Sequence, residues 1–266
     1  MKTGKYFEVF RWSFKMQMVW RFDVAMTVLA TIGRILAAFI LWRAVFTGTE
    51  YVKGFSFDAM LSYYIISSVL NSLDFSNQIS GEISYLIRDG GFSKHMVTPM
   101  SPFGFFGFMT AGESAFHFGF GFAAALACSF IFGIRMLFAA DPLTIIAALV
   151  MIPLGLLFMM CFHYFLGILT FKFLSINSFL FLAGNITVFL TGSLVPLALL
   201  PDSIRFIMKL FPFYYVTYLP AMLLSGQSGD EALPGILVLS LWVAAFLILN
   251  RFAYNRLRIR YEGVGI

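Results

Sequence analysis

Long apolar runs separated by short charged segments dominate this sequence and leave few folds open to it. An α-helix crosses a bilayer core of about 30 Å with roughly 20 apolar residues. Six runs approach or exceed that length, at residues 24–45, 58–80, 103–134, 142–171, 173–200 and 232–251. The pattern predicts an all-α integral membrane protein with six transmembrane helices.

The composition excludes an ordinary water-soluble enzyme. Of 266 residues, 60% are hydrophobic and only 12% are charged, which leaves too little polar surface to cover a soluble globule. The net charge of +5 would suit nucleic acid, but the basic residues lie at the chain ends and between the apolar runs. We therefore expect membrane lipids, and no nucleic acid, as partners.

The distribution of Lys and Arg predicts how the chain is oriented, because cytoplasmic segments are enriched in these residues. If the N-terminus is inside, the cytoplasmic segments hold Lys2, Lys5, Arg11, Lys15, Arg21, Arg88, Lys94, Lys172, Arg251, Arg256, Arg258 and Arg260. The opposite side then holds only Arg43, Lys53, Arg135, Arg205 and Lys209. We expect a multi-pass protein of the cell membrane with both termini in the cytoplasm.

Residues 5–22 mix aromatic and basic side chains at helical spacing. One stripe holds Phe7, Phe10, Phe14 and Met18, and a second stripe holds Arg11 and Lys15. This pattern predicts an N-terminal interfacial helix on the inner leaflet. The alternative is a simple cytoplasmic extension of the first span.

Arg34 lies inside the first apolar run and Glu113 inside the third, where an isolated charge is costly. Arg34 and Glu113 fall at similar depths if the third span begins near residue 103, so we predict that they pair. A structural contact between helices is the favoured interpretation over a role with substrate or protons. The pair fails if that helix begins near Thr110.

The second run carries a polar stripe. Its members, at i, i+4, i+7 and i+11, are Ser67, Asn71, Asp74 and Gln78. Such a stripe cannot face lipid. A water-filled path, contact with a partner protein and an intrachain hydrogen-bond network all remain open.

Two further segments predict short helices. Residues 81–90 form a brief amphipathic pattern ended by Gly90 and Gly91, which favours either a docking helix or an ordinary surface loop. Four prolines divide the later apolar stretch, at Pro196, Pro201, Pro212 and Pro220. We expect residues 202–224 to form short re-entrant helices that close the external end of a pathway.

Signatures of catalytic and metal sites are absent from the sequence. No G-x-x-x-x-G-K-[ST] loop occurs, so ATP hydrolysis is not expected on this chain. No H-E-x-x-H occurs, and His95, His117 and His163 are dispersed, so we expect neither a metal site nor a catalytic residue. Ser114 and His117 share one helix, a poor arrangement for a serine nucleophile and its base.

The chain resembles the permease subunits of type-2 ABC exporters, the ABC-2 family, in their six-span bacterial branch. The matching features, in order, are the basic aromatic N-terminal helix, Gly81-Glu82-Ile83 with Leu86, Pro99-x-Ser101-Pro102, Pro201, Phe211-Pro212-Phe213, Pro220 and Arg260-Tyr261-Glu262-x-x-Gly265. Together they cover nearly the whole length. The resemblance implies a single permease domain over residues 1–266.

The resemblance also implies partners and roles. Two permeases, identical or related, would face each other above cytosolic ATPase subunits, which would hold ATP and Mg²⁺, with no cofactor in this chain. The implied ATPase-coupling residues are Gly81, Glu82, Ile83, Tyr85, Leu86 and Arg88. The implied external re-entrant segment includes Pro201, Pro212, Phe213 and Pro220. The alternatives are an integral membrane enzyme acting on lipids, which would require a cluster of catalytic polar residues, and a non-transporting assembly subunit.

Overall fold

A computed structural model describes residues 4–19, 21–173, 176–193 and 195–261. Within these ranges the chain is helical and contains no β-strand. In chain order the helices are α1 Gly4–Gln17, α2 Arg21–Val45, α3 Phe57–Asn71, α4 Asn77–Arg88, α5 Ser93–Val97, α6 Pro102–Ile131, α7 Pro142–Ile168, α8 Asn177–Leu190, α9 Asp202–Met208, α10 Tyr218–Leu224 and α11 Ala232–Leu257.

Four helical stretches among the described residues are long and apolar enough to cross a membrane. They are Phe22–Val45, Pro102–Ile131, Pro142–Phe171 and Gly229–Leu257, and a bent pair of shorter helices would raise the number to five. These stretches coincide with the first, third, fourth and sixth predicted runs. The all-helical membrane fold is therefore confirmed, whereas six continuous spans are not.

The second predicted span, residues 58–80, is not one helix. Helix α3 is 15 residues long, or about 22 Å, and ends at Asn71, five residues before α4 begins. Asp74 stabilises the break because its Oδ1 accepts a hydrogen bond from the Ser76 backbone N–H at 3.0 Å. The prediction of a continuous helix is wrong here because a polar side chain offers the backbone a local alternative.

The fifth predicted span, residues 173–200, is also interrupted. Helix α8 is 14 residues long, and the chain turns at Gly192, whose φ is +72°. The Gly192 carbonyl accepts a hydrogen bond from the Tyr63 hydroxyl of α3 at 2.7 Å, which fixes this turn against the core. Residues 174, 175 and 194 of this predicted span lie outside the described ranges.

The N-terminal helix packs on α6. Helix α1 ends at Gln17, before the predicted end at residue 22, and Trp20 of that segment lies outside the described residues. Ser13 is buried at the centre of the packing face, whereas Phe7 is 58% exposed. The expected stripe is therefore divided: Phe14 packs against Phe116 of α6, with 5.3 Å between the ring centroids, whereas Phe7 and Met18 are exposed and suit contact with lipid.

The segment at residues 202–224 folds into short helices, as the prolines predict. Pro201 precedes α9, and Pro212 opens a 3₁₀ turn, Pro212–Tyr215, that leads to α10. The axes of Asp202–Met208 and Pro212–Leu224 meet at 90°. Phe213 packs against Phe158 and Phe162 of α7, and Pro220 is buried within α10.

Both described termini lie at one end of the molecule. The Tyr6 hydroxyl of α1 accepts a hydrogen bond from the Ser101 backbone N–H at 3.1 Å, at the start of α6. Tyr261, beyond α11, packs against Phe92 and Phe171. Helices α4 and α5 therefore share an end with both termini, while α9 and α10 do not. Glu262 and Gly265 of the C-terminal motif fall outside the described residues.

Candidate functional site

A polar cavity of about 400 Å³ opens between the break after α3 and helices α4, α7 and α8. Its polar lining consists of Asn71, Asp74, Asn77, Ser80, His163, Asn185, Thr187, Thr191 and Thr217. Its remaining lining consists of Gly81, Met159, Leu180, Phe181, Gly184 and Val188. So many polar groups among apolar helices require water, protein or a ligand to satisfy them.

Asp74 is the single charged residue among the described residues that line this cavity. One carboxylate oxygen accepts the hydrogen bond from Ser76, and within the described ranges no Lys or Arg lies at ion-pair distance from it. The break between α3 and α4 is what brings this carboxylate to the cavity. A single carboxyl group therefore faces the open volume among the described lining residues.

The predicted polar stripe divides at the same break. Asn71 and Asp74 line the cavity, but Ser67 is buried within α3, only 1% exposed. Gln78 lines a separate cavity of about 280 Å³, together with Gln17, Asp23, Thr27, Phe75 and His117. The prediction of one continuous stripe is wrong because the helix that would align these side chains stops at Asn71.

Helix α4 forms one cavity wall and packs tightly on α7. Its buried face consists of Ile79, Ile83 and Ile87, spaced one helical turn apart. Gly167 of α7 permits the close approach, since a Cβ at that position would lie 2.9 Å from the Ile83 Cβ. Ser80 also meets α7, with its Oγ 3.3 Å from Nδ1 of His163.

The opposite face of α4 is exposed and carries most of the predicted docking residues. Gly81, Glu82 and Tyr85 are exposed, and Tyr85 reaches 56%. Leu86 is half-buried, and the Arg88 guanidinium donates a hydrogen bond to the Ser84 carbonyl. Ile83 is fully buried against α7, so it is not part of the exposed face, and its role in coupling stays a prediction.

The end of α4 forms a tight turn into α5. Helix α4 stops at Arg88, and Gly90 adopts the left-handed conformation with φ +78°, as the Gly90-Gly91 pair predicts. The Phe92 backbone N–H donates to the Leu86 carbonyl, and the Phe92 ring is fully buried. The turn therefore holds α4 and α5 as a hairpin, and Val97 at the end of α5 is 85% exposed.

Arg34 and Glu113 do not pair, so this prediction is wrong. The Arg34 guanidinium lies 3.5 Å from the Thr31 hydroxyl, and one carboxylate oxygen of Glu113 is buried without a hydrogen-bond partner among the described residues. Helix α2 packs on α6 through Ile35, next to Ala125. Ala125 is 12 residues, or about 18 Å, further along α6 than Glu113. Arg34, next to Ile35, is therefore at a different level of α6 from Glu113.

Several lining residues escaped the sequence analysis. His163 and Ser80 gave no pattern because they come from segments far apart in the chain. Asn185 offered a signal, since it is an amide inside an otherwise apolar run. Among the described residues no group of His, Cys, Asp and Glu could hold a metal ion, and both cysteines are free and buried.

Comparison with protein families gives one match over most of the chain. Residues 32–265 match the family described as "ABC-2 family transporter protein". No curated protein matches the chain. The matched region includes every helix that lines the polar cavity.

Proposed function

Since the chain belongs to the ABC-2 transporter family, we propose that it forms half of the translocation path of an ATP-driven exporter. Family membership makes it a membrane permease component of an ABC transporter, a class that works with an ABC ATPase subunit. The proposal adds the location of the path, the direction of transport and the surface that receives the ATPase.

The observation that carries the proposal is the polar cavity beside α8. A volume of about 400 Å³ with nine polar lining residues has no structural use in a protein packed only against lipid. It is large enough to take a small organic molecule or part of a larger one. A second permease, identical or related, would enclose the open side of the cavity and complete the path.

Helix α4 is suited to couple an ATPase to this cavity. Its exposed face presents Glu82 and Tyr85, and Gly81 of the same face lines the cavity together with Asn77 and Ser80. The helix is only 12 residues, or about 18 Å, long, and it packs rigidly on α7. A push on the exposed face would therefore move the wall directly. ATP and Mg²⁺ belong to the partner subunit in this mechanism.

We assign the end that holds α4, α5 and both described termini to the cytoplasm. Lys and Arg are concentrated at this end, in α1, α4, α5 and the last turns of α11. The short helices α9 and α10 then lie at the external face and close the path there. The protein would reside in a bacterial cell membrane.

A membrane enzyme is less well supported. The nearest approach to a catalytic pair is Ser80 with His163, but the Ser80 hydroxyl donates its hydrogen to the Asn77 carbonyl at 2.8 Å. His163 is therefore not positioned to take that proton, and Ser80 is not activated as a nucleophile. A non-transporting assembly subunit would leave the cavity without a use.

The test is affinity purification in mild detergent, followed by identification of the proteins that purify with the chain. We expect a P-loop ATPase to copurify with the wild type and to be lost or uncoupled in Glu82→Arg. Glu8→Arg is the matched control, because Glu8 is exposed on α1 and carries the same charge. If no ATPase copurifies under several gentle conditions, or if both variants behave alike, the coupling proposal is wrong.

A further inference from the structure

The cavity offers more free hydrogen-bond acceptors than donors. Four lining side chains donate hydrogen to backbone carbonyls near them in the chain: Ser80 to Asn77, Thr187 to Ala183, Asn71 to Ser67 and Asn185 to Phe181, at 2.8 to 2.9 Å. Each serine or threonine hydroxyl has one hydrogen, so only its oxygen lone pairs remain available. The Asn71 and Asn185 amides each keep the side-chain oxygen free as an acceptor and one N–H free as a donor.

His163 also offers an acceptor. Because the Ser80 hydrogen is committed to Asn77, its Oγ can only accept in the 3.3 Å contact with Nδ1 of His163. Nδ1 must then carry hydrogen, which leaves Nε2 of the neutral ring with a lone pair. The ring adds no positive charge to the cavity in this state.

Asp74 gives this acceptor-rich cavity its negative charge. Among the described lining residues there is no Lys or Arg to neutralise it. Arg34, which lies in the middle of the apolar helix α2, is not part of the lining. A partly buried carboxylate without a cation is costly, and a cationic ligand would relieve that cost.

The remaining walls are apolar. Met159 of α7 and Leu180, Phe181 and Val188 of α8 line the same volume. We propose that the cavity binds amphipathic amines, with the ammonium group at Asp74 and the surrounding acceptors and the apolar body along α8. This inference rests on the proposed function, for which it names the substrate class.

The hydrogen-bonding groups and the carboxylate of the cavity also predict the charge of the ligand. An ammonium group supplies several donors and one positive charge, which matches the free oxygens and the carboxylate. A carboxylate ligand could accept from the remaining amide N–H groups, but it would meet Asp74 with like charge. A neutral amide would satisfy fewer acceptors and leave the charge of Asp74 unpaired.

The test uses the full chain in nanodiscs of phosphatidylcholine, which carries no net charge to attract amines. The probe is dansylcadaverine, a fluorescent primary amine. Its N-acetyl derivative removes the charge, and dansyl-aminohexanoic acid replaces the amine with a carboxylate. Fluorescence titration, corrected with empty nanodiscs, gives the dissociation constant of each probe for the wild type, for Asp74→Asn and for Asp58→Asn.

We expect the amine to bind wild type about tenfold or more tightly than either analogue, as the loss of a charge-assisted hydrogen bond predicts. Asp74→Asn should remove that preference while keeping the acceptor oxygen that bonds to Ser76. Asp58→Asn, which removes a carboxylate at the start of α3 and outside the cavity, should behave as wild type. If Asp74→Asn misfolds, Asn185→Asp provides the second test, because an added carboxylate should strengthen amine binding.

Equal binding of the three probes, or an unchanged preference in a folded Asp74→Asn, would overturn the inference. These outcomes are separate from failure of the proposed function. If an ATPase copurifies but the probes bind alike, only the substrate class is wrong. If the amine binds in an Asp74-dependent way but no ATPase associates, the coupling proposal is wrong and the binding site stands.

Discussion

Gly112 of α6 lies so close to α1 that a Cβ atom at position 112 would be 2.4 Å from the Phe10 carbonyl oxygen. The obstructing atoms are backbone, including the Phe14 nitrogen at 3.0 Å, so side-chain rotation cannot make room. The absence of a side chain at Gly112 thus permits the N-terminal helix to pack closely on α6. The contact joins α1 to the element that begins directly after α5.

Gly112→Ala should separate α1 from α6. The overpacking is expected to cost about 1–3 kcal/mol in stability. The measurement is thermal unfolding of the purified protein, monitored by tryptophan fluorescence, because Trp12 lies on α1. Gly119→Ala is the control, since a Cβ at position 119 on the same helix has no neighbour within 4 Å. An equal effect of the two substitutions would contradict this packing.

Gly167→Ala should displace α4 from α7, because its Cβ would lie 2.9 Å from the Ile83 Cβ and 3.2 Å from the Ser80 Cα. Helix α4 carries both the proposed docking face and a cavity wall. We therefore expect reduced ATPase retention and weaker amine binding in the same variant, again with Gly119→Ala as control. Loss of ATPase retention without loss of amine binding, or the reverse, would show that the docking face and the cavity do not depend on the same packing of α4.

The long helices could be predicted because their ends carry local signals. Ser101 and Asp141 each precede a proline and accept hydrogen bonds from backbone N–H groups of the first turn, in α6 and α7 respectively. The apolar runs that follow have no local alternative to the helix. Their positions therefore agree with the sequence prediction to within a few residues.

The breaks could not be predicted in the same way because they depend on tertiary contacts. A Cβ at Gly121 of α6 would meet the Ser72 hydroxyl at 2.4 Å, which shows how closely α6 passes the end of α3. The helical spacing of Asn71 and Asp74 in the sequence predicts both as functional candidates. Their cavity partners His163 and Asn185 come from other helices, and only the fold brings them together.

Low pH should weaken the packing around α5. Burial among Phe92, Phe105 and Phe106, and then the adjacent Lys94, lower the pKa of His95 from its ordinary value of 6.5. The unfolded chain then binds a proton more readily than the folded protein, so stability falls as the pH drops below about 6.5. Above that pH the ring is neutral in both states and stability should not change.

The measurement compares the melting temperature of wild type and His95→Gln between pH 7.5 and pH 5.5. We expect the melting temperature of wild type to fall more than that of His95→Gln as the pH drops below about 6.5. Above that pH the difference in melting temperature between the two proteins should stay constant. Parallel curves for the two proteins would show that His95 does not titrate differently on folding. His117 and His163 are common to both proteins and cancel in the comparison.

Glu231 joins three elements at the end opposite α4. One carboxylate oxygen accepts from Lys209 at 2.7 Å, beyond α9, and the other accepts from the Tyr214 hydroxyl at 2.8 Å. Both charged side chains are about one-third exposed, 35% for Lys209 and 31% for Glu231, so water screens part of their attraction. A double-mutant cycle with Lys209→Met and Glu231→Gln should give a coupling energy of about 0.5–1 kcal/mol that falls in high salt.

The chain supplies a matched control for this cycle. Arg205 and Asp202 form an ion pair of the same 2.7 Å length, but Asp202 is 88% exposed. The same cycle on that pair should give a coupling energy near zero, because an exposed carboxylate is solvated equally well without its partner. If the two pairs contribute equally, the Lys209–Glu231 contact is not what holds α9 to the start of α11. If only the Glu231 pair contributes, substitutions there should also raise passive leak of dansylcadaverine through the assembled transporter, because under the proposed function α9 and α10 close the external end of the path.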